Sequence, residues 1–301
     1  MNRSMASAWA LVLLVLAIPA VVASGAPPPS APADEVAAVR AAIAREDSDG
    51  AIALAERLVA SQPGSSTARI VLGRALGQKA LRSSFFTQIG WGKKCKKAFE
   101  EAVALDPEDL DARFELARYL TVAPRIAGGG HDLARVQIAE IARRNAARGL
   151  AAEGSLKEHE KDLAGAEAAF RKAIETAPAD RAAASALGSF LLRQKRPSEA
   201  LSFWKARAAA DPADLLTRYG FARAALASGT GLAEAADGLK AYLAVPPTPD
   251  APSWADARWR LGLVLEKLGR KQDAIRELEE ALRLVPGHTG AKKDLERLRK
   301  V

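Results

Sequence analysis

Two aromatic–arginine doublets are the residues of this 301-residue chain whose types and spacing most readily do chemistry. Phe114 stands four residues before Arg118, and Tyr219 four before Arg223. On a helix that step places both side chains on one face. The ring can stack on an apolar group while the guanidinium holds a carboxylate or phosphate. Other chemistry is harder to assemble. His131, His159 and His288 are scattered, and the single cysteine, Cys95, excludes a disulfide framework and any cysteine-based zinc or iron–sulfur site. Neither HExxH nor GxSxG occurs. Acidic pairs such as Glu100-Glu101 and Glu279-Glu280 read as solvated helix exteriors. The expectation is no enzyme, no cofactor and no metal.

Two more stretches carry unusual residues. Phe85, Phe86, Ile89 and Trp91 precede Lys93, Lys94, Lys96 and Lys97, and six basic residues with no acidic one lie between Lys79 and Lys97. Such a protrusion can rest on an anionic membrane surface or dock into a partner. The plainer account is a lengthened hairpin whose aromatics pack on their own helices. Gly128-Gly129-Gly130 before His131 and Asp132 could cradle a phosphate, but the Lys-Ser/Thr of a nucleotide loop is missing. There Pro124 ends one helix, the glycines permit the reversal, and Asp132 is expected to cap the next helix. Cys95 reads as a small buried packing residue, with a reactive thiol beside lysines as the alternative.

The elements that must position these residues are helices. Alanine supplies much of the 49% hydrophobic content while aromatics are only 5%, and such a composition favours helix over sheet. Residues 1–23 read as a signal peptide: Arg3, then the apolar run Ala8 to Ala23, with cleavage expected after Ala23. An uncleaved membrane anchor is the alternative, although Pro19 interrupts a run short for a spanning helix. Residues 24–34 read as a Pro/Ala-rich linker. The net charge of +8, or +7 once Arg3 leaves with the leader, points on an exported chain to acidic proteins, anionic lipids or envelope polymers rather than nucleic acid. Beyond the linker, segments ending in Pro63, Pro107, Pro178, Pro212, Pro246 and Pro286 recur, twice at 34 residues. Leu187-Gly188, Ala200, Trp204 and Pro212 fall at repeat positions 7, 8, 20, 24 and 32, and Leu261-Gly262, Ala274, Leu278, Ala281 and Pro286 follow the same register. Gly154, Ala166, Phe170, Ala173 and Pro178 make a third match.

On these residues the chain resembles bacterial secreted tetratricopeptide-repeat proteins over essentially everything after the linker. The stretch Gly73 to Pro107, with Ala123-Pro124 and the glycine run, also resembles uncharacterised envelope members. The resemblance implies an all-α fold, a right-handed α-solenoid of about seven helix hairpins over 35–301 plus a C-terminal capping helix. Units begin near Pro32, Ser66, Leu110, Ala147, Arg181, Leu215 and Ala255, with insertions near 81–92, 124–130 and 246–253. The resemblance further implies that the first helix of each hairpin lines a concave face, with positions 2, 5, 9 and 12 pointing into it, and positions 5 and 9 supply the candidates. The candidate partner-binding residues are therefore Arg74, Phe114, Arg118, Tyr219, Arg223 and Trp259. Phe85, Phe86, Trp91, Lys93, Lys94 and Lys97 form a candidate surface contact. The Lys/Asn pattern of chaperone carboxylate clamps is absent. The function expected is a non-enzymatic envelope adaptor, periplasmic or secreted, binding an acidic or extended protein segment; the alternative is an assembly factor at a membrane or polymer surface. Against the groove stands a simpler expectation, that each arginine pairs with a nearby carboxylate and the aromatics only pack.

Overall fold

A computed structural model describes residues 33–246 and 251–300, which hold fifteen α-helices and no strand. The helices pair as α1 (Ala33–Ala44) with α2 (Ser48–Ser61), α3 (Ser66–Leu81) with α4 (Phe85–Leu105), α5 (Leu110–Val122) with α6 (His131–Arg144), and α7 (Ala146–His159) with α8 (Leu163–Thr176). The row continues with α9 (Arg181–Arg193) and α10 (Pro197–Ala210), α11 (Leu215–Ser228) and α12 (Leu232–Leu243), and α13 (Trp254–Lys267) and α14 (Lys271–Leu284). Helix α15 (Thr289–Lys300) covers the last hairpin. The signal-peptide reading and most of the linker lie outside the described residues, and α1 begins at Ala33. No described helix is long and apolar enough to cross a membrane.

Local chemistry explains where the hairpins start. Ser65, Asp109, Asp180 and Asp214 accept a hydrogen bond from backbone N–H groups of α3, α5, α9 and α11. Each stands two residues after one of the recurring prolines, so a stop and a start are written side by side. Within hairpins, the glycine at position 8 is a seat for the large residue at position 24. A Cβ on Gly188 would lie 2.5 Å from the Trp204 indole, and on Gly73 2.4 Å from the Phe99 ring. Gly154 stands in the same relation to Phe170. The turn between the two helices places position 15 in the left-handed region, where Gly229 and Gly269 fit but Glu46, Lys161 and Lys195 are strained.

Stacked hairpins supply the core that one hairpin lacks. The two largest hydrophobic clusters divide the chain: one runs from Ala42 to Leu156, the other from Ala166 to Leu298. The row curls through one full turn, because the loop after α14 reaches the turn after α1. Thr289 Oγ1 donates to Glu46 Oε1 at 3.4 Å, and Gly287 packs against the Arg45 carbonyl. The concave face thereby becomes the wall of a lumen.

Two local expectations need correction. The extra residues of the second unit are not a loop between helices: only Arg82–Ser84 separate α3 from α4, whose 21 residues absorb the rest as added helical turns. Asp132 is not the cap of α6; Gly130 holds that place, and Asp132 sits inside the first turn. A 3-10 turn at Arg125–Ala127 fills the way in.

Candidate functional site

The lumen is lined by the first helix of each hairpin, and its two halves treat their arginines differently. In the N-terminal half, Glu115 on α5 is 6% exposed and lies between two candidate cations. Arg74 Nε of α3 donates to Glu115 Oε1 at 2.9 Å, and Arg118 Nη2 donates to Oε2 at 2.5 Å. The carboxylate thus bonds both guanidinium groups, one through each oxygen, and balances one of their two charges. Phe114 borders a cavity of about 340 Å³ with Arg118, Ser155, Glu158 and Arg193. Arg193 is itself held by Glu158 at 2.6 Å.

In the C-terminal half Arg181 pairs with Asp214 at 3.2 Å, but two cations, Arg223 and Arg260, keep neutral partners. Arg223 on α11 donates from Nη1 to Ser189 Oγ at 3.0 Å, and no carboxylate pairs with it among the described residues. Burial, helped by the nearby charge of Arg260, lowers its pKa. Arg260 on α13 donates from Nε to the Tyr219 hydroxyl at 3.2 Å and stacks over the Trp259 ring at 4.6 Å. It too has no carboxylate partner among the described residues. A cavity of about 870 Å³ runs past Ser185, Ser189, Arg193, Tyr219 and Arg223, and one of about 590 Å³ follows past Arg223, Arg260, Leu263 and Lys267.

Trp259 works for the fold and lines none of these cavities. Its indole N–H donates to Asp294 Oδ2 at 2.8 Å, its ring fills the space beside Gly290, and it meets His288 at 5.2 Å, so it pins α15 onto the stack. At the protruding end of α4, Phe85 is 67% and Phe86 86% exposed, with Leu81 bare beside them. Trp91 is half-buried under Lys94, whose ammonium lies 4.5 Å from the ring centre. Lys93 and Lys94 are exposed, whereas Lys96 and Lys97 face Glu100 and Glu101 one turn on. Cys95 is buried against Gly77, and burial pushes its thiol up to about 12, so the packing reading describes it and the reactive one does not. The scattered histidines are less scattered in space: His131 and His159 meet edge to face at 5.4 Å, and His131 Nδ1 lies 3.1 Å from Glu160. Among the described residues no three or more His, Cys, Asp or Glu side chains are gathered to hold a metal.

The repeat register is matched by the family profiles themselves. Those described as tetratricopeptide repeat match residues 36–80 and 152–214, and again 255–288. The chain is a tetratricopeptide-repeat protein. Among solved structures the human IFIT1 dimer with m7Gppp-AAAA is 13% identical with a TM-score of 0.55, covering 84% of this chain and 59% of that one. YrrB, a TPR protein with an unusual peptide-binding site, is 20% identical with a TM-score of 0.43, covering 67% of this chain and 99% of that one. TTC0263, a thermophilic TPR protein of Thermus thermophilus, is 20% identical with a TM-score of 0.46, covering 64% and 98%. At such identities the likeness is one of fold. No curated protein matches the sequence.

Within this tetratricopeptide-repeat array, Arg260 is the groove residue that positions 5 and 9 do not select, whereas Ser189 stands at position 9. Arg260 occupies position 6, one residue after Trp259. The signal that finds it is the register: position 9 of one hairpin meets position 6 of the next, as Arg74 meets Glu115.

Proposed function

We propose that this tetratricopeptide-repeat protein is a non-enzymatic adaptor that holds an acidic, extended segment of another protein along its concave wall. Tetratricopeptide-repeat proteins generally mediate protein–protein interactions, and the fold is typically a non-catalytic scaffold. One observation carries the finer reading: in the C-terminal half of the lumen, Arg223 and Arg260 are tied by hydroxyl groups rather than by carboxylates. A neutral tether orients a guanidinium and leaves its charge for a ligand. Tyr219 and Leu263 offer apolar surface beside that charge. We place the protein in the bacterial envelope, periplasmic or secreted, on the strength of the leader-like residues 1–23.

The test is a binding screen of extended peptides of graded charge against the full chain and its R223E variant, with circular dichroism as the folding control. Acidic peptides should bind the parent and be lost from the variant. Binding indifferent to peptide charge, or to Arg223, would refute the groove reading. For the location, amino-terminal sequencing of the protein recovered from its producing cells should find Ser24 first.

A second reading draws on the exposed pair Phe85 and Phe86 beside Lys93 and Lys94. Two bare rings next to exposed lysines suit an anionic membrane surface. Flotation with vesicles containing anionic lipid should fall when Phe85 and Phe86 become Ser. Equal flotation of parent and variant would remove this reading.

A further inference from the structure

The repeat register makes the two halves of the lumen directly comparable at one contact, where position 9 of a hairpin faces position 6 of the next. In the second and third hairpins the contact is Arg74 with Glu115, an ion pair of 2.9 Å. In the sixth and seventh hairpins the same two positions hold Arg223 and Arg260. The fold therefore sets two like charges where it elsewhere sets opposite ones. Two half-buried guanidinium groups side by side repel each other unless an anion lies between them.

We infer that the lumen wall between α11 and α13 is a subsite for a doubly charged anion of the phosphate-monoester class, bridging Arg223 and Arg260. The inference rests on the groove reading above and names the group that the groove grips.

Both arginines border the same cavity of about 590 Å³, so one group can reach both. The cavity is also bordered by Lys267, Arg297 and a single carboxylate, Glu266. That carboxylate is already taken by Arg297, which also bonds Asp294 at 3.1 Å. The unanswered charge therefore belongs to Arg223 and Arg260, with Lys267 exposed at the rim. Each guanidinium is held by a neutral oxygen, Ser189 Oγ for Arg223 and the Tyr219 hydroxyl for Arg260. Those bonds use one N–H group of each fork and leave the others for a ligand. A lone carboxylate can bond two guanidinium groups, as Glu115 does, but balances only one of the two charges. A phosphate monoester carries between about −1.5 and −2 at neutral pH and three acceptor oxygens, and so can take a fork from each side. Leu226 and Leu263 on the same wall give apolar footing to the stem that bears the phosphate.

The experiment is calorimetric titration of the full chain at constant ionic strength with four probes: inorganic phosphate, a phosphoserine peptide, the same peptide with Glu at that site, and the same peptide with two adjacent Glu residues. The phosphoserine peptide should bind most tightly, with inorganic phosphate weaker but measurable at the same site. R223Q and R260Q should each weaken the phosphoserine peptide by about tenfold or more, the loss of charge-assisted hydrogen bonds. R118Q, whose arginine is answered by Glu115, should leave it unchanged. R223K keeps the charge and most of the stem but not the fork, and should give an intermediate loss in a fold that tolerates it. Equal affinity for the single-Glu or double-Glu peptide would overturn the dianion, and so would phosphate binding that survives the double variant. If phosphate fails while acidic peptides still depend on Arg223, the dianion inference falls and the adaptor reading stands. If no acidic or phosphorylated peptide depends on Arg223, both fall.

Discussion

The N-terminal and C-terminal halves of the lumen are built from the same repeat and end with different electrostatics. In the first, Glu115 is buried between Arg74 and Arg118 and pairs with both. In the second, the residue at the position of Glu115 is Arg260, and the wall keeps two cations tethered by hydroxyl groups. A solenoid repeats its backbone contacts from unit to unit, so a single change of residue type at one register position replaces a structural ion pair with two like charges. What makes an arginine available is the residue facing it on the next hairpin.

The widest test of this division is alkaline pH. Burial raises Cys95 and Tyr119, both in the N-terminal half, and Tyr242, in the C-terminal half, to about 12. Groups whose folded pKa is raised stabilise the fold below their unfolded values, near 9 and 10, and that stability is lost as pH rises toward 12. Melting followed against pH should therefore fall above pH 9, and hydrogen exchange should find the N-terminal half, with two of these groups, opening first.

A G188A substitution attacks the other core. Its methyl group would press on the Trp204 indole, which also touches Gly220 of the next hairpin. Chemical denaturation should register a loss of about 3 kcal/mol, with exchange protection falling in α9 to α12 and persisting in α3 to α6. A somewhat smaller loss, about 2 kcal/mol, is expected for E115A, because Arg74 and Arg118 lose their shared partner yet keep access to water. No loss on E115A would mean that the pairing is incidental.

The comparison can also be erased rather than broken. R260E recreates at the sixth and seventh hairpins the pair that Arg74 and Glu115 form, and should raise stability by about 1 kcal/mol while it abolishes anion binding. An unchanged melting temperature would show that Arg223 and Arg260 do not face each other as their counterparts do. Smallest of all is K195G: Lys195 holds φ 58° at the turn position that Gly229 and Gly269 occupy elsewhere, and its replacement should stabilise the C-terminal half by about 0.5 kcal/mol.

Much of this was legible in the chain itself. Pro178, Asp180, Gly188 and Trp204 act within one hairpin, and their spacing reports the turn, the cap, the seat and the ring that fills it. The aromatic–arginine doublets were legible as well, and Arg223 kept its freedom. Arg118 and Arg74 did not, because Glu115 reaches both; Trp259 turned partly to holding α15 through Asp294 and Gly290. Arg260 was hidden in plain view beside Trp259, since its role depends on a residue 37 positions earlier. The added residues near 81–92 looked like a loop for want of a clear stop signal, and α4 took them as helix, leaving Phe85 and Phe86 bare.

By itself the sequence determined the register, the number of hairpins and the close seat of each ring on its glycine, because those contacts form between residues less than one repeat apart. Only the tertiary structure decided which charges are spent and which remain, and that the row curls until Thr289 meets Glu46. An ion pair acts over a few ångströms, and which hairpin brings a carboxylate, a hydroxyl or a second arginine within that reach is settled by stacking.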